Sequence, residues 1–446
     1  MQNKTLIKNA NLVSDGKIWH SDLLIEDSFI SRIEPDISPD NNTKVIDANG
    51  KYLIPGIIDD QVHFREPGLT RKANIYTEAR AAVSGGVTSF MEMPNTKPPA
   101  TTLEKLEEKY AIASVDSLAN YSFFMGTTND NAEEVLKIDT KNVCGIKIFM
   151  GSSTGNMLVD NEETLNKIFS ESPALVAIHS EVEGIINVNL EKFKVKYGED
   201  IPISAHPEIR SVEACYESTK KAIEIANNTG GRLHVLHIST AEELDFFRND
   251  IPIEEKKITA EVCAHHLFFD ASDYDRLGSL IKCNPAIKES RHKKEIFKAV
   301  LDGRIDILAS DHAPHTWEEK QKPYLHSPSG LPLVAHTLNI TLDFYHRGNI
   351  SLEKIVQKMC HDPARLFRIG NRGYLREGYF ADLALLDLDE KWEVNKSNIY
   401  YKCTWSPFEG QEFKGRVTDT FVSGHHAFAG GKFDESQKGM RLAFDY

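Results

Sequence analysis

The sequence predicts an α/β fold: a TIM (β/α)8 barrel with a small β-sandwich domain formed by the N- and C-terminal segments. Three observations lead to this prediction. Apolar strand-like runs alternate with helical patterns from residue 54 onward, short β-like pieces come before and after that region, and polar residues cluster where the strand-like runs end. Strands that alternate with helices are typical of a parallel sheet, and eight such units over about 310 residues fit a barrel with insertions.

The first and last segments of the chain share a β-like character, which predicts that they pair into one small domain. Turn residues such as Asp15-Gly16 and Asn49-Gly50 separate short runs in the first segment. The expected domains are residues 1–54 and 369–446 for the two parts of the β domain, and residues 55–368 for the barrel. The expected β-like pieces are residues 5–7, 22–26, 29–34, 44–47, 381–387 and 416–423.

Eight strand candidates, with helical patterns between them, predict the barrel itself. An open doubly wound sheet is the alternative architecture, but no GxGxxG or P-loop sequence supports it. Helical candidates include residues 103–116, 212–227 and 291–301. The strands are expected at residues 54–63, 87–94, 119–127, 143–150, 174–181, 232–240, 257–269 and 305–312.

Composition excludes several classes of protein. The chain has 66 acidic and 52 basic side chains, and the resulting formal net charge of −14 argues against nucleic acid as a partner. No apolar run approaches the ~18 residues that a membrane span needs, and the first residues lack a signal-peptide pattern. The six cysteines are far apart, as expected for reduced thiols in a cytoplasmic protein.

Polar residues follow most of the predicted barrel strands. In a TIM barrel such residues converge on one mouth, because the functional groups lie at the C-terminal ends of the strands. A lone buried histidine is usually a satisfied core residue, but converging imidazoles and carboxylates suit Zn²⁺ or a similar divalent ion. The residues at these ends are Gln61, His63, Arg65, Asn95, Lys147, His179, His237, His265, His266, Asp311 and His315.

Lys147 is unexpected within an apolar strand, because a buried ammonium group is strongly disfavoured unless it is paired. One interpretation is a snorkelling lysine or a buried lysine–glutamate pair. The other is that CO₂ has converted the amine to a carbamate. A carbamate is an anion with two oxygens, and these are able to bridge two metal ions.

Short motifs along essentially the whole chain carry a family resemblance. The most specific are FREPG at residues 64–68, directly after His63, and MPNT at residues 93–96, and further matches lie at residues 55–59, 145–147, 284–285, 309–315 and 378–383. These motifs resemble those of the cyclic amidohydrolases and, among them, most closely the dihydroorotases. The resemblance implies a metal-dependent enzyme that reversibly converts (S)-dihydroorotate and N-carbamoyl-L-aspartate into each other in de novo pyrimidine biosynthesis.

The resemblance also implies a metal centre with one or two Zn²⁺ ions per chain. His63 and Asp311 would bind one ion, His179 and His237 the other, and N-carboxylated Lys147 would bridge them. A metal-bound hydroxide would attack the ring carbonyl.

Other residues would handle the substrate. Asp311 would take the proton of the hydroxide as general base and return it to the leaving ring nitrogen as general acid. Arg65, Asn95 and His315 would hold the substrate carboxylate, and Asn284 would contact the ring. The planar fork of an arginine matches a carboxylate. His265 and His266 are expected to position their neighbours.

One position departs from the family pattern. The family usually has a histidine two residues before His63, and this chain has Gln61. A glutamine oxygen is a much weaker Zn²⁺ ligand than an imidazole, so the first metal site is expected to be weak, rearranged or empty. Asp60 is a candidate substitute, although strand alternation points it to the other face.

Three alternatives remain beside the main prediction. The first is another cyclic amide hydrolase, such as an allantoinase or a dihydropyrimidinase, although uracil-type substrates lack the carboxylate. The second is a non-catalytic dihydroorotase-like subunit of aspartate transcarbamoylase, which Gln61 favours. The third is a structural barrel without metal. A homodimer is also expected, and residues 317–330 are expected to form a mobile loop over the substrate.

Overall fold

The computed structural model describes residues 4–151 and 157–445. Within these residues the chain forms a parallel β-barrel wrapped by helices and a second, nine-stranded sheet built from both ends of the chain. This architecture confirms the predicted fold class. Residues 1–3 and 446, which the predicted domain limits include, lie outside the described residues, and the limits at residues 54 and 368 stay predictions.

The N-terminal segment contributes five strands to the second sheet. β1 and β2 form an antiparallel hairpin through Asp15 and Gly16, whose positive φ values of 53° and 70° suit a tight hairpin turn. β4 pairs with β1 in parallel. The strands are β1 (Lys4–Ser14), β2 (Lys17–Glu26), β3 (Phe29–Glu34), β4 (Thr43–Asp47) and β5 (Tyr52–Pro55).

The barrel follows directly and contains the eight predicted strand positions. The third position is split into two short strands, β8 and β9, which are separated by Phe124. All neighbouring strands of the barrel pair in parallel. The strands are β6 (Ile57–Val62), β7 (Val87–Glu92), β8 (Asn120–Phe123), β9 (Met125–Gly126), β10 (Ile146–Phe149), β11 (Val176–His179), β12 (Leu233–Val235), β13 (Ile258–Cys263) and β14 (Ile307–Ala309).

Backbone hydrogen bonds close the barrel. The amide of Phe124 donates to the carbonyl of Glu92 (3.1 Å), which links the two arcs of strands at the split position. On the other side, the amide of His63 donates to the carbonyl of His312 (2.7 Å), which joins the first strand to the last. The first and last polar clusters of the sequence are therefore neighbours.

One predicted strand is wrong in its length. The apolar run at residues 257–269 predicted a single strand, but β13 ends at Cys263 and a helical turn begins at Ala264. The residues after Cys263 are also apolar, because they pack into the core as part of that helical turn. The apolar run in the sequence is therefore longer than the strand. His265 and His266 therefore lie on the helical turn and not on the strand.

The helices begin and end close to where the sequence predicts them. The hydroxyl groups of Thr102 and Ser211 cap two of them, and Gly230 and Gly303 end two of them with left-handed backbone. The helices are α1 (Ile75–Ser84), α2 (Leu103–Asp116), α3 (Ala132–Val135), α4 (Glu162–Glu171), α5 (Glu183–Tyr197), α6 (His206–Ile209), α7 (Val212–Thr229), α8 (Ala264–Phe268), α9 (Tyr274–Leu277), α10 (Ser290–Asp302), α11 (Trp317–Lys320), α12 (Thr337–His346), α13 (Leu352–Val356) and α14 (Asp362–Phe367).

The C-terminal segment completes the second sheet and then returns to the barrel. Its strands are β15 (Leu383–Glu393), β16 (Glu412–Val422), β17 (His425–Ala429) and β18 (Lys432–Phe433). β15 pairs antiparallel with β5 and so joins the two ends of the chain. Alternate residues of β15 pack on opposite faces, Leu383 in the core of the small domain and Ala384 against the barrel. The amide of Leu442 then donates to the carbonyl of Tyr121 on β8 (2.9 Å).

No helix among the described residues is long and apolar enough to cross a membrane.

Candidate active site

A cavity of about 260 Å³ lies at the C-terminal ends of the barrel strands. Phe149, Ala313 and residues 328–330 form part of its wall. The rest of the lining is the set of residues that the sequence assigned to metal or substrate: Gln61, His63, Arg65, Asn95, Lys147, His179, His237, Asn284, Asp311 and His315. The structure therefore brings all ten residues together, while the role of each one stays a prediction.

His63, Gln61 and Asp311 surround the first predicted metal position. The His63 Nε2 atom lies 3.2 Å from Asp311 Oδ1, and the Gln61 amide donates from Nε2 to the same oxygen (3.3 Å). The His63 Nδ1 atom lies 2.8 Å from Asn95 Oδ1. Because a carbonyl oxygen only accepts, Nδ1 carries the hydrogen and Nε2 keeps its lone pair for a metal. Burial lowers the pKa of His63, which favours this neutral form.

His179 and His237 face each other at the second predicted metal position. The His179 Nδ1 atom lies 3.0 Å from His237 Nε2, and the His179 Nε2–H group donates to Glu181 Oε2 (2.8 Å). Arg210 also pairs with Glu181. Burial alone raises the pKa of Glu181, but Arg210 and His179 outweigh burial and bring this pKa down to about 2. The carboxylate is thus ionised and fixes the orientation of the His179 ring.

Glu181 and Arg210 are residues that sequence reasoning missed. Carboxylates that accept from the second nitrogen of a metal-binding histidine are a common feature of zinc sites. The only signal in the sequence was the position of Glu181 two residues after His179, at the end of the same strand. Nothing in the sequence indicated that Arg210, which follows α6, would reach this carboxylate.

Lys147 lies on β10 with 1% of its surface exposed. Burial lowers the pKa of its amine to about 7. Among residues 4–151 and 157–445, no group forms a hydrogen bond or an ion pair with its Nζ, which lies 4.7 Å from the centre of the Phe149 ring. Near neutral pH this amine is therefore partly uncharged, which is the form that reacts with CO₂.

These residues form a donor set that fits a pair of divalent cations. Neutral imidazoles and a carboxylate, which are typical ligands of Zn²⁺, converge on one cavity together with a buried amine. In the described part of the chain, the buried Nδ1 of His237 also lacks a hydrogen-bond partner. In this structure His237 donates from Nε2 to His179 Nδ1 (3.0 Å), whereas a buried lysine without a partner among the described residues is unfavourable unless a further charged group lies beside it.

Asp60 does not take the place of the missing histidine. Its side chain is fully buried inside the barrel, where Oδ2 lies 3.3 Å from His234 Nε2. Glu261 lies on the other side of the same imidazole, with 3.5 Å between Oε2 and Nε2. These two carboxylates raise the pKa of His234 to about 9 against the effect of burial. The charge of Asp60 is therefore balanced by His234.

His265 and His266 lie beside the cavity but do not line it. The Nε2–H group of His266 donates to the carbonyl of Pro285 (3.0 Å), next to Asn284. This contact fits the predicted role of positioning a neighbour. In the described chain, ligand atoms of Cys263, His265 and His266 lie within 4.8 Å of one another, as do those of Asp60, His234 and Glu261.

Arg65 and His315 form a buried positive corner of the cavity. Arg65 is 8% exposed, and its Nε donates to the carbonyl of Pro314 (3.1 Å). Burial lowers the pKa of Arg65 to about 10. One terminal nitrogen of Arg65 lies 3.2 Å from His315 Nε2. Because His315 Nε2 also contacts the carbonyl of Ser329 (2.9 Å), it carries a hydrogen. The His315 hydrogen thus goes to Ser329 in this structure, and the guanidinium of Arg65 beside it is the donor that faces an anion in the cavity.

Lys72 supports this corner and was not predicted. Its ammonium group donates to His315 Nδ1 (2.8 Å) and lies 3.4 Å from Glu319. Burial, with the charge of Arg65 as the next cause, lowers the pKa of Lys72 to about 8. A lysine on the loop after β6 carries no sequence signal for such a contact.

The segment at residues 317–330, for which the sequence suggests a mobile loop, is held by several side-chain hydrogen bonds. Lys320 is fully buried, and its ammonium donates to the carbonyls of Pro328 and Gly330 (3.0 Å each). The Lys282 ammonium donates to the carbonyls of Tyr324 (2.7 Å) and Ser327 (2.6 Å). Charge-assisted hydrogen bonds of this kind hold the cavity wall in place.

Comparisons with known proteins find relatives that match most of the chain. The model of the Amidohydrolase family matches residues 52–427. A dihydroorotase from Methanosarcina acetivorans is 33% identical over 418 residues, which cover 91% of this chain and 88% of that protein. A dihydroorotase from Pyrococcus abyssi is 32% identical over 422 residues, which cover 94% of each chain.

Solved structures show the same architecture. The L-hydantoinase (dihydropyrimidinase) from Arthrobacter aurescens superimposes with a TM-score of 0.93 at 28% identity, over 99% of this chain and all of that one. The dihydropyrimidinase from Brevibacillus agri gives a TM-score of 0.89 at 24% identity, over 99% of this chain and 100% of that one, and shares the fold.

Proposed function

This chain belongs to the amidohydrolase family and, within it, to the dihydroorotases, and from this premise we propose that it interconverts (S)-dihydroorotate and N-carbamoyl-L-aspartate. It is a hydrolase of cyclic amides. The observation that carries the choice of substrate is the buried corner of Arg65 and His315 beside a metal-ligand set. In a cyclic amide that carries a carboxylate, the carboxylate fits the Arg65–His315 corner and the amide fits the metal-ligand set.

The proposed cofactor is a pair of Zn²⁺ ions. His63 and Asp311 would hold one ion, His179 and His237 would hold the other, and N-carboxylated Lys147 would be a ligand of both. When bound, the metal pair supplies an activated water and a Lewis acid for the amide carbonyl. The lowered pKa of Lys147, about 7, supports carbamate formation, in which the amine adds to CO₂ and releases a proton.

Arg65, His315 and Asn95 bind the substrate carboxylate. Arg65 and His315 line the same part of the cavity, with 3.2 Å between an Arg65 terminal nitrogen and His315 Nε2. Asn95 uses its Oδ1 for His63, so its Nδ2 group is left to donate. These donors lie close together in the cavity and act on the anion at short range. They therefore bind an anion although the whole chain has a net charge of −14.

Asn284 is suited to the ring of the substrate. It lies between Cys283 and Pro285, and the carbonyl of Pro285 accepts a hydrogen bond from His266. In the described residues, its buried Oδ1 has no hydrogen-bond partner. An amide oxygen accepts, so Oδ1 is a partner for a ring N–H group.

Asp311 is the proton carrier. In hydrolysis it takes a proton from the attacking water and delivers it to the ring nitrogen, as a C–O bond forms and the C–N bond breaks. In cyclisation the same proton moves in reverse. The Gln61 amide and the His63 ring contact its Oδ1 atom, at 3.3 and 3.2 Å, and so fix the direction of the carboxylate.

Turnover of matched substrates tests this proposal. Purified protein supplied with Zn²⁺ should interconvert dihydroorotate and N-carbamoyl-aspartate, and should turn over dihydrouracil, hydantoin and allantoin far more slowly. An Arg65→Met variant should lose most of its preference for dihydroorotate. Faster turnover of the uncharged amides would favour the second candidate, a dihydropyrimidinase-like enzyme, which the TM-score of 0.93 to a hydantoinase supports.

A non-catalytic role has its own test. If no cyclic amide were turned over and the protein co-purified with aspartate transcarbamoylase, the chain would be a partner subunit. That association and the homodimer both stay predictions. Measuring the size of the purified chain alone tests the homodimer, and measuring it together with the transcarbamoylase tests the association.

A further inference from the structure

Three ionisable side chains meet inside the barrel, away from the cavity. Asp60 on β6, His234 on β12 and Glu261 on β13 are each 0% exposed, and none of them lines the cavity. Ile58 and Leu236, two residues away along the chain, pack in one apolar cluster with residues of other barrel strands. Because side chains alternate along a strand, the three ionisable groups share this apolar interior. Charges in such a place need partners.

The His234 ring presents its Nε2 atom to both carboxylates. Its Nδ1 atom lies 2.8 Å from the hydroxyl of Thr259, which itself donates to the carbonyl of Leu233 (3.3 Å). The hydroxyl therefore accepts from Nδ1–H, and Nε2 faces Asp60 Oδ2 at 3.3 Å and Glu261 Oε2 at 3.5 Å. A histidine that binds a metal typically uses one nitrogen in this way, while the other donates to a fixed partner.

A proton on His234 Nε2 does not satisfy this arrangement. Nε2 is almost equally far from two oxygens, and an N–H group forms a well-aligned hydrogen bond to only one of them. Within residues 4–151 and 157–445, Nε2, Glu261 Oε2 and both side-chain oxygens of Asp60 have no hydrogen-bond partner. One proton also balances only one of the two carboxylates, whereas a divalent ion balances both. Buried polar atoms without partners are rare in folded proteins and call for an ion or a water molecule.

The distances in this cluster fit a metal ion. Two ligands that each lie about 2.1 Å from a tetrahedral Zn²⁺ ion are about 3.4 Å apart. The two observed separations from His234 Nε2 are 3.3 and 3.5 Å. Ligand atoms of all three side chains lie within 4.8 Å of one another. If Asp60 binds through both of its oxygens, the three residues supply the four donors that Zn²⁺ usually takes.

We propose that Asp60, His234 and Glu261 bind a structural Zn²⁺ ion inside the barrel, separate from the metal ions of the cavity. On binding, His234 releases its Nε2 proton to solvent and a nitrogen–metal bond forms, with no change of oxidation state. The ion links β6 to β12 and β13. The inference does not rest on the proposed function, because none of the three residues has a proposed role in catalysis or substrate binding.

The buried ion also supports one proposed ligand of the cavity. Glu261 Oε1 accepts from the backbone amide of His237 (3.2 Å), and Glu261 Oε2 is the oxygen that faces the proposed ion. His237 has a positive φ of 43°, which persists only where surrounding contacts determine the conformation. An ion that fixes Glu261 therefore helps to hold the backbone of His237.

The kinetics of zinc release test the buried site. Full-length protein loaded with Zn²⁺ and freed of unbound zinc is mixed with excess chelator, and the released zinc is followed over time. The cavity ions should leave first. One further equivalent should leave about tenfold more slowly or slower still, because its ligands are fully buried and become accessible only when the barrel opens.

Two neighbouring variants assign the slow equivalent. Asp60→Asn should lose it, because a carboxamide neither carries the charge nor binds Zn²⁺ strongly. Asp59→Asn is the matched control and should keep it. Asp59 is also buried, but its Oδ1 accepts from the backbone amides of Gln61 (3.3 Å) and Ser310 (3.2 Å), and it is not one of the three proposed ligands.

Anomalous scattering at the zinc edge locates the ion in the wild-type protein, independently of how the variants fold. A peak is expected about 2.0–2.2 Å from His234 Nε2 and from oxygens of Asp60 and Glu261. A peak in the cavity with none between these residues, together with fast release of all zinc, would overturn the inference and leave the proposed function intact. A slow equivalent and a peak inside the barrel without dihydroorotate turnover would support the inference and refute the proposed function.

Discussion

Lys72 should control substrate affinity through His315, and Lys72→Met tests this. The Lys72 ammonium donates to His315 Nδ1 at 2.8 Å and so leaves the ring hydrogen on Nε2, on the side of Arg65. Without this donor, only the Ser329 carbonyl (2.9 Å from Nε2) holds the ring, so His315 is fixed less firmly beside the substrate carboxylate. A hydrogen bond to a charged group contributes about 1.5–3 kcal/mol. The lower end applies here, because Lys72 is only partly buried.

We therefore expect Lys72→Met to raise the KM for dihydroorotate by about tenfold, since about 1.4 kcal/mol corresponds to a factor of ten. The kcat should change little, because Lys72 does not touch the reacting bond. Lys402→Met is the control: this exposed lysine donates to the nearby carbonyl of Thr70 (2.6 Å) and not to His315.

The pH profile separates this role from a structural one. The pKa of Lys72 is lowered from its ordinary value to about 8, so the ammonium is present below pH 8 and lost above it. In the wild-type protein the KM should rise as the pH passes from 7 to 9. In Lys72→Met the KM should already be high at pH 7 and stay flat across that range. An unchanged KM in the variant, or the same rise with pH, would refute the reasoning.

Three further predictions concern the metal centre and the cavity wall. Glu181→Gln, which removes the charge that orients His179, should weaken the second metal by about 10–100-fold in a competition titration with a chelator, while the first metal is kept. Lys147→Ala should remove metal retention and turnover together, and full activity in that variant would exclude a bridging carbamate. Lys320→Met leaves buried carbonyls unpaired, so it should lower the free energy of unfolding by about 1–3 kcal/mol in urea titrations and raise the KM.

The barrel was predictable because its strands are short apolar runs that end in polar residues. His179 and His237 follow such runs, and in a closed parallel barrel strand ends meet at one mouth whatever their separation in sequence. The length of β13 was not predictable in the same way. Leu267 and Phe268 are apolar and lie in or against the core in a helical turn, and an apolar run alone does not distinguish a strand from a buried helix.

The contacts that orient the site residues could not be read from the sequence. Arg210 reaches Glu181 and Lys72 reaches His315 from loops whose paths depend on the whole fold. Long polar side chains have many rotamers, and local patterns do not specify which partner they find. The same limitation explains the expectation of a mobile segment at residues 317–330. Charge and proline content suggested mobility, but Lys320 is buried and holds the segment through backbone carbonyls.

The backbone at the cavity is consistent with selection for function rather than stability. Arg65, His237 and Asp311 have φ values of 69°, 43° and 47°, in a left-handed region that non-glycine residues rarely adopt. Each such residue costs on the order of 1–3 kcal/mol and persists only where surrounding contacts determine its conformation. The Glu261 carboxylate accepts from the His237 amide (3.2 Å), and the Arg65 carbonyl accepts from the Leu69 amide (3.0 Å).

These three strained residues have the three roles proposed for the site: Arg65 in anion binding, His237 as a metal ligand and Asp311 as the proton carrier. Their side chains are held in direction by the backbone itself, so little reorganisation is needed when substrate and metal arrive. Glycine at residue 65, 237 or 311 would relieve the strain but would also remove the functional group. The strain is therefore expected to remain wherever the chain keeps this chemistry.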